Sequence, residues 1–360
     1  MLRHATAALT TVGALGSLLE QNPMIHRRGT LVLCIVLLTA GALGLSCARS
    51  PTTVVVYSSE DQPCAEPILK DFERGTHIHV VAVYDKEAAE HVMKSLIDEK
   101  DNPQADVYWA NEPVHPDQLK ALGITEPYVS PNASALPAMF KDNDGHWTAF
   151  SARARVLVVN SKAQPKPDSI LAYADERWRG KAVLANPLLN TTAFNLTALF
   201  DAWGEKRAWE FLNKVKSLGV KTSPGNGDSA VLVASGQAEF SLVDIDDGLE
   251  AVRRNNGIEI RYPDQGTEGL GTFMVANAVA LIRGAHHPDT ARKLIDYLLT
   301  AETQRKLAFS ACAQTPLSQG VEVPSTVKRI EQLRVMQVNY SGIRKRLAEL
   351  RPQLRAWAPQ

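Results

Sequence analysis

The segment SLVDIDDGLE, Ser241–Glu250, ends a strand-like run in three acidic residues, Asp244, Asp246 and Asp247. Two like charges about 4 Å apart repel by roughly 4 kcal/mol at an effective dielectric near 20. A cluster of this kind therefore needs a cation, an arginine or raised pKa values. Asp247, with Glu250 three residues on, reads as a capping box that opens a helix. Asp244 and Asp246 are left for other work. Arg153 and Arg155 lie on a predicted strand, where alternation puts both on one face and makes them candidate internal partners. A ligand ammonium or a metal ion held by Asp246 and Asp247 is the other reading, and the residues alone leave both open.

A second group of residues suits an anion. NPLLNTTAF places Asn190, Thr191 and Thr192 at the start of a helix after a strand, where hydroxyls and free backbone amides converge. SPGNGDSAV repeats the arrangement with Asn226, Gly227 and Ser229. Plain helix capping explains either one alone; two in one half of the chain point to a shared anion. Enzyme signatures are missing: the chain has no G-x-S-x-G elbow, Walker loop, H-E-x-x-H or C-x-x-C. His286 and His287 sit between a strand and a helix and read as a solvated turn.

The elements that would position these groups alternate. VVVYSS, IHVVAVY and ADVYWA read as strands separated by the amphipathic helices AEPILKDFERG and EAAEHVMKSLIDEK, which argues for an α/β fold with a parallel sheet covered on both faces. Ligands of such sheets bind beyond the carboxyl ends of the strands. A second α/β stretch contains KAVLANP, the helices TTAFNLTALFDAWG and AWEFLNKVKSLG, the helix SAVLVASGQ and the strand AEFSLVD. Long strands at 148–159 and 272–282 bracket it, as two crossovers between two lobes would. This gives one lobe from 54–150 plus 277–360 and a second from 151–276. The C-terminal stretches from Asp289 and from Ser325 read as helices with an apolar stripe.

Composition sets the class. The chain has 360 residues, 45% hydrophobic and 22% charged, with a formal net charge of zero, so nothing in it calls for nucleic acid. His26, Arg27 and Arg28 precede the apolar run Leu31–Cys47, a secretory signal pattern shorter than the ~20 residues of a membrane span. Met24 stands just ahead of the basic pair, which makes residues 1–23 an over-extended start, 1–47 a signal segment and 48–53 a linker. Cys47 after LGLS resembles a bacterial lipobox, in which the thiol is acylated, although Gly44 replaces its usual branched residue. Cys64 and Cys312 would then be exported thiols free to pair.

VYSSEDQPCAEPILKDFE, VVAVYDKEA, LIDEKDNPQADVYWANEP, WRGKAVLANPLLNTTA, LVDIDDG, YPDQGTEGLGTFMVANAVALI and AQTPL, in this order between about Val54 and Pro316, resemble the bacterial extracellular solute-binding proteins of ABC importers. The similarity is to the ferric-iron branch and its phosphonate-binding relatives. It implies a two-lobed, type II periplasmic-binding-protein-like fold with hinge crossover strands and C-terminal helices. It also implies a monomer in the periplasm or cell envelope, held to the membrane by lipid, that hands its solute to a permease served by a separate ATPase, with no cofactor and no catalysis. Asp246 and Asp247 stand where iron-binding members carry an adjacent tyrosine pair, so the hallmark of ferric capture is absent. Asn226, Thr191 and Thr192 match the family's anion-holding positions. Ser59, Glu60 and Asp61 fall where some members have a histidine, and Asn111, with Glu112 adjacent, falls where they have a carboxylate. The solute expected is metal with a synergistic anion, or a phosphonate-like zwitterion; the alternative is an exported enzyme on the same scaffold acting on small phosphorylated or phosphonate compounds.

Overall fold

The computed structural model describes residues 52–84, 89–255 and 257–358; the signal segment and Cys47 lie outside them. The first strands are β1 (Thr53–Ser58), β2 (His79–Tyr84), β3 (Val107–Ala110) and the short β4 (Thr125–Glu126). Helices α1 (Gln62–Thr76), α2 (Ala89–Asp98) and α3 (Val114–Ala121) alternate with them. Cys64, Ala65, Ile68, Leu69 and Phe72 form the buried stripe of α1, the 3–4 spacing that marked it as amphipathic. The helix closes one residue beyond Gly75, with His77 in the left-handed region at φ 58°.

β5 (Thr148–Asn160) is the longest strand, followed by β6 (Ala182–Ala185), β7 (Lys221–Ser223), β8 (Phe240–Asp244), β9 (Ile258–Arg261), β10 (Met274–Ile282) and β11 (Thr315–Pro316). The order β2-β1-β3-β10-β5-β8-β6-β7 runs through one curled sheet, with β9 and β11 on β5 and β4 on β10. Both triplets, β2-β1-β3 and β8-β6-β7, are parallel, as expected from their helical crossovers. The strands between them are not: β10 runs antiparallel to β3 and β5, and β5 antiparallel to β8. β5 serves both groups, pairing with β10 through 148–154 and with β8 through 155–159. It is therefore the physical crossover between two α/β halves, and nearly all of its side chains are buried.

α4 (Asn190–Ser217) covers both helices expected there; Gly204, at φ 76° and ψ 166°, breaks it between them. α5 (Asn226–Ala234), α6 (Ile245–Arg254), α7 (Pro288–Leu298), α8 (Ala301–Phe309) and α9 (Tyr340–Trp357) complete the chain. The expectation of helix from Ser325 onward holds only from Tyr340. Before it, Arg334 O accepts from Thr272 N and Thr272 O accepts from Met336 N, so these backbone groups serve a bridge beside β10 instead of a helix. α9 then packs on α3 and α4, where Trp357 Nε1 donates to Leu212 O at 2.9 Å. No described helix is long and apolar enough to cross a membrane.

Cys64 at the start of α1 and Cys312 after α8 are joined in a disulfide that closes a sequence separation of 248 residues. Replacing both with serine should lower unfolding stability by about 2–4 kcal/mol, the usual contribution of a disulfide that restricts the unfolded chain. Chemical denaturation checks this, and a mass gain of two hydrogens on reduction checks the bond itself.

Candidate functional site

The site is organised by an arginine. Register places Arg155 of β5 opposite Asp244 at the end of β8. Arg155 is 0% exposed, and Nη1 donates to Asp244 Oδ1 at 2.8 Å, Asn226 Oδ1 at 2.9 Å and Thr191 Oγ1 at 3.2 Å. Nη2 donates to Thr192 Oγ1 at 3.2 Å and Leu242 O at 3.1 Å. Arg153, two residues earlier and on the same face, lies 3.3 Å from Asp244 Oδ2 and donates to Asn111 O at 3.0 Å. Both oxygens of Asp244 are thus taken by internal arginines. Of the two readings open for the acidic cluster, internal pairing is the one that the arginine contacts of Asp244 display.

The same wiring ties the two helix starts together. Asn226 Nδ2 donates to Thr191 Oγ1 at 3.1 Å, so the loops before α4 and α5 form one network. Neither helix has a side-chain cap. Thr191 and Thr192 accept from Arg155, which leaves their hydroxyl protons, with the first-turn amides, as the groups that could meet an anion. Sequence reasoning considered Arg155 only as a partner for acids; the Arg-x-Arg alternation was the available signal for its wider role.

Asp246 and Asp247 lie in the first turn of α6, which starts at Ile245, ahead of the expected position. The expected capping box does not form, because Asp244 is the N-cap and Glu250 instead pairs with Arg253 and Arg254, each at 2.6 Å. Burial pushes the Asp246 carboxyl up, opposed by Arg153 and reinforced by Asp244. Burial likewise pushes Asp247 up, with Asp246 and Asp244 adding to it. Asp246 Oδ1 has no hydrogen-bond partner among the described residues. Carboxylate oxygens of Asp244, Asp246 and Asp247 lie within 4.8 Å of one another. A Cβ at Gly227 would stand 3.2 Å from Asp247 Oδ1, so the missing side chain lets this carboxylate approach the start of α5.

Glu60, beyond the end of β1, faces this group. It is 3% exposed, and burial pushes its carboxyl up to about 7, opposed by Arg153 and reinforced by Asp61 and Asp246. Its Oε2 has no hydrogen-bond partner among the described residues. Ser59 shares a 3.0 Å hydrogen bond with Tyr108 and donates to Asn111 Oδ1 at 3.3 Å. Asp61 is exposed at the start of α1 and makes no side-chain cap. Glu112 is buried, 3.0 Å from His115 Nδ1. The structure therefore brings Ser59, Glu60, Asn111, Arg153, Thr191, Thr192, Asn226, Asp246 and Asp247 around the paired Asp244, with Asp61 on the rim. His287 is anchored 2.9 Å from buried Asp106. A cavity of about 1090 Å³ opens elsewhere, beside Trp203, Tyr262 and Leu270, and includes none of the site residues.

Residues 102–342 match the family described as bacterial extracellular solute-binding proteins. The "Iron uptake protein A1" of Synechocystis sp. is 24% identical over 307 residues, covering 77% of this chain and 83% of the relative. The "Putative 2-aminoethylphosphonate-binding periplasmic protein" of Salmonella typhimurium is 25% identical over 302 residues, covering 81% and 85%. A Trichodesmium protein (IdiA, FutA), solved in complex with iron and citrate ligands, superposes with a TM-score of 0.76 at 20% identity, covering 86% of this chain and 100% of that one. At that identity the likeness supports the two-lobed fold. With the family match spanning more than half of the sequence, the chain belongs to the bacterial extracellular solute-binding proteins.

Proposed function

We propose that the protein captures a small zwitterion, an ammonium group joined to a phosphonate or similar anion, between its lobes and delivers it to an ABC-type permease. The observation that carries this reading is the surplus of buried and half-buried carboxyl groups over arginines. Arg155 and Arg153 are engaged with Asp244, while Asp246, Asp247 and Glu60 are all pushed up by burial. A guest cation would let these carboxylates ionise, and the starts of α4 and α5 would take its anionic end. The Salmonella relative's name agrees with this chemistry.

A second reading has its own observation. Carboxylate oxygens of Asp246 and Asp247 cluster within 4.8 Å of each other and of the arginine-paired Asp244, so this pair would be the donor set for a hard metal ion carried as cargo with a synergistic anion. The name of the Synechocystis relative favours iron, and the aspartates in place of a tyrosine pair weigh against the ferric chemistry expected of that branch. Chelator separates the two readings, since only metal capture is lost with it. In either reading the solute leaves chemically intact, the exported chain is anchored through lipid on Cys47, and it works as a monomer. Turnover of 2-aminoethylphosphonate or a phosphate ester would instead favour an enzyme.

Asp246→Asn with Asp247→Asn should weaken binding of 2-aminoethylphosphonate at least about tenfold in calorimetry, about 1.4 kcal/mol or more. The thermal midpoint of the solute-free protein should stay within a few degrees or rise, because burial already disfavours both charges; a collapse would make the cluster structural. The pH dependence follows the same shifts. An acid whose pKa is raised on folding stabilises the fold below its unfolded pKa and loses that contribution as pH rises through the folded one. Stability without solute should therefore decline from about pH 4 toward pH 8, and this slope should flatten in the double variant.

A further inference from the structure

β1 and β3 are parallel neighbours whose register sets Ser58 beside Trp109, so Ser59 and Asn111 leave the sheet close together. Ser59 Oγ accepts from Asn111 N at 3.2 Å, lies 3.3 Å from Asn111 Oδ1 and shares a 3.0 Å hydrogen bond with the Tyr108 hydroxyl. Sequence reading gives Tyr108 no role beyond its strand. Its ring is 0% exposed and packs in a cluster with Tyr57, Met93 and Leu119, which holds the hydroxyl at one point. That hydroxyl also stands 3.4 Å from His115 Nδ1, and the same nitrogen is 3.0 Å from Glu112 Oε1.

Protons can be assigned along this chain. The oxygen and nitrogen of an amide are alike in shape, so the donors and acceptors around it decide which is which. Glu112 is buried, and neither of its oxygens has a hydrogen bond of full geometry among the described residues. A bare His115 Nδ1 would therefore set a lone pair 3.0 Å from an uncompensated carboxyl oxygen. A proton on Nδ1 removes that repulsion and serves the Tyr108 oxygen. Tyr108 then has its own proton for Ser59 Oγ, and Ser59 has its proton for Asn111 Oδ1. In half-buried Asn111 the amide nitrogen is thus turned away from Ser59, with no hydrogen bond among the described residues.

We propose that Asn111 presents its amide nitrogen to the anionic group of the solute, and that Tyr108 is the positioning residue that holds it in this orientation. Two N–H protons then meet a phosphonate oxygen from the β1–β3 side, adding to the starts of α4 and α5. The flipped amide would offer an oxygen and suit the ammonium instead. Its orientation therefore decides which end of the solute this side of the cleft receives. The inference rests on the zwitterion reading of the cleft.

The test compares 2-aminoethylphosphonate with ethylphosphonate, which lacks the ammonium group, by calorimetry with chelator present. Asn111→Asp keeps the size of the side chain and sets a carboxylate before the anion, so it should weaken both phosphonates about tenfold or more. A carboxylate that met the ammonium would instead hold or tighten 2-aminoethylphosphonate, and that result overturns the orientation. Tyr108→Phe removes only the hydroxyl and should weaken both phosphonates about three- to tenfold, the scale of one hydrogen bond. In an Asn111→Ala background the same change should alter affinity less than about twofold, which a general loosening of the fold would not reproduce. Should Tyr108→Phe fail to fold, Ser59→Ala breaks the same link and carries this comparison. An unchanged affinity in folded Tyr108→Phe, or an equal loss with and without the Asn111 amide, overturns the role of Tyr108. Each of these failures leaves the zwitterion reading intact. Failure of the native protein to bind either phosphonate, or to prefer the amine, overturns that reading and this inference with it.

Discussion

Arg155 and Asp244 form an ion pair at the centre of the molecule, with Arg155 0% exposed and the carboxylate 2.8 Å away. Burying such a pair is costly unless the remaining donors are also used. Here Thr191, Thr192, Asn226 and the Leu242 carbonyl use them, leaving Nε as the one guanidinium nitrogen without a partner. Loss of Asp244 would strand Arg155 in a site without solvent, at a cost of about 3–5 kcal/mol. Because these partners stand at the starts of α4 and α5 and at the end of β8, the pair also sets where three helix N-termini meet.

That arrangement leaves the cleft electrically lopsided. Arg153 divides its guanidinium between Asp244 and the Asn111 carbonyl, so little positive charge remains for Asp246, Asp247 and Glu60. The first turn of α6 favours its own aspartates by about 0.3–1 kcal/mol. This is well short of the roughly 4 kcal/mol by which two close charges repel at an effective dielectric near 20. The difference must be met by protonation or by a cation. The raised pKa values of all three carboxyls are the first of these, and the proposed solute is the second.

Much of this was legible because it depends on local pattern. β1, β3 and β8 are short apolar runs bounded by polar residues, and the 3–4 spacing of α1 fixed its buried face. Arg153 and Arg155 were found by alternation, and the helix starts by their threonines and asparagine. What depends on distant chain was not legible. Thr272 draws residues before Tyr340 out of helix, and the carboxylate of Asp244, the residue before α6, is claimed by two arginines from another strand instead of capping the helix. Gln314 carries no local signal: its buried partner is Ser151, 163 residues away, and Cys312 two residues before it is bonded to Cys64.

The placement of the acids also bears on how capture would be linked to closure. Glu60 and Asn111 follow β1 and β3 of one parallel triplet, whereas Asp246 and Asp247 follow β8 of the other. Arg153, on the strand shared by both, touches the Asn111 carbonyl on one side and Asp244 on the other. A cation that relieves both Glu60 and Asp246 must bridge the two groups of strands, so its full attraction is available only when they are close. A guest can shift a conformational equilibrium only by its difference in affinity for the two states. A cationic group spanning these carboxylates supplies that difference through electrostatics, where a neutral solute of the same size would not.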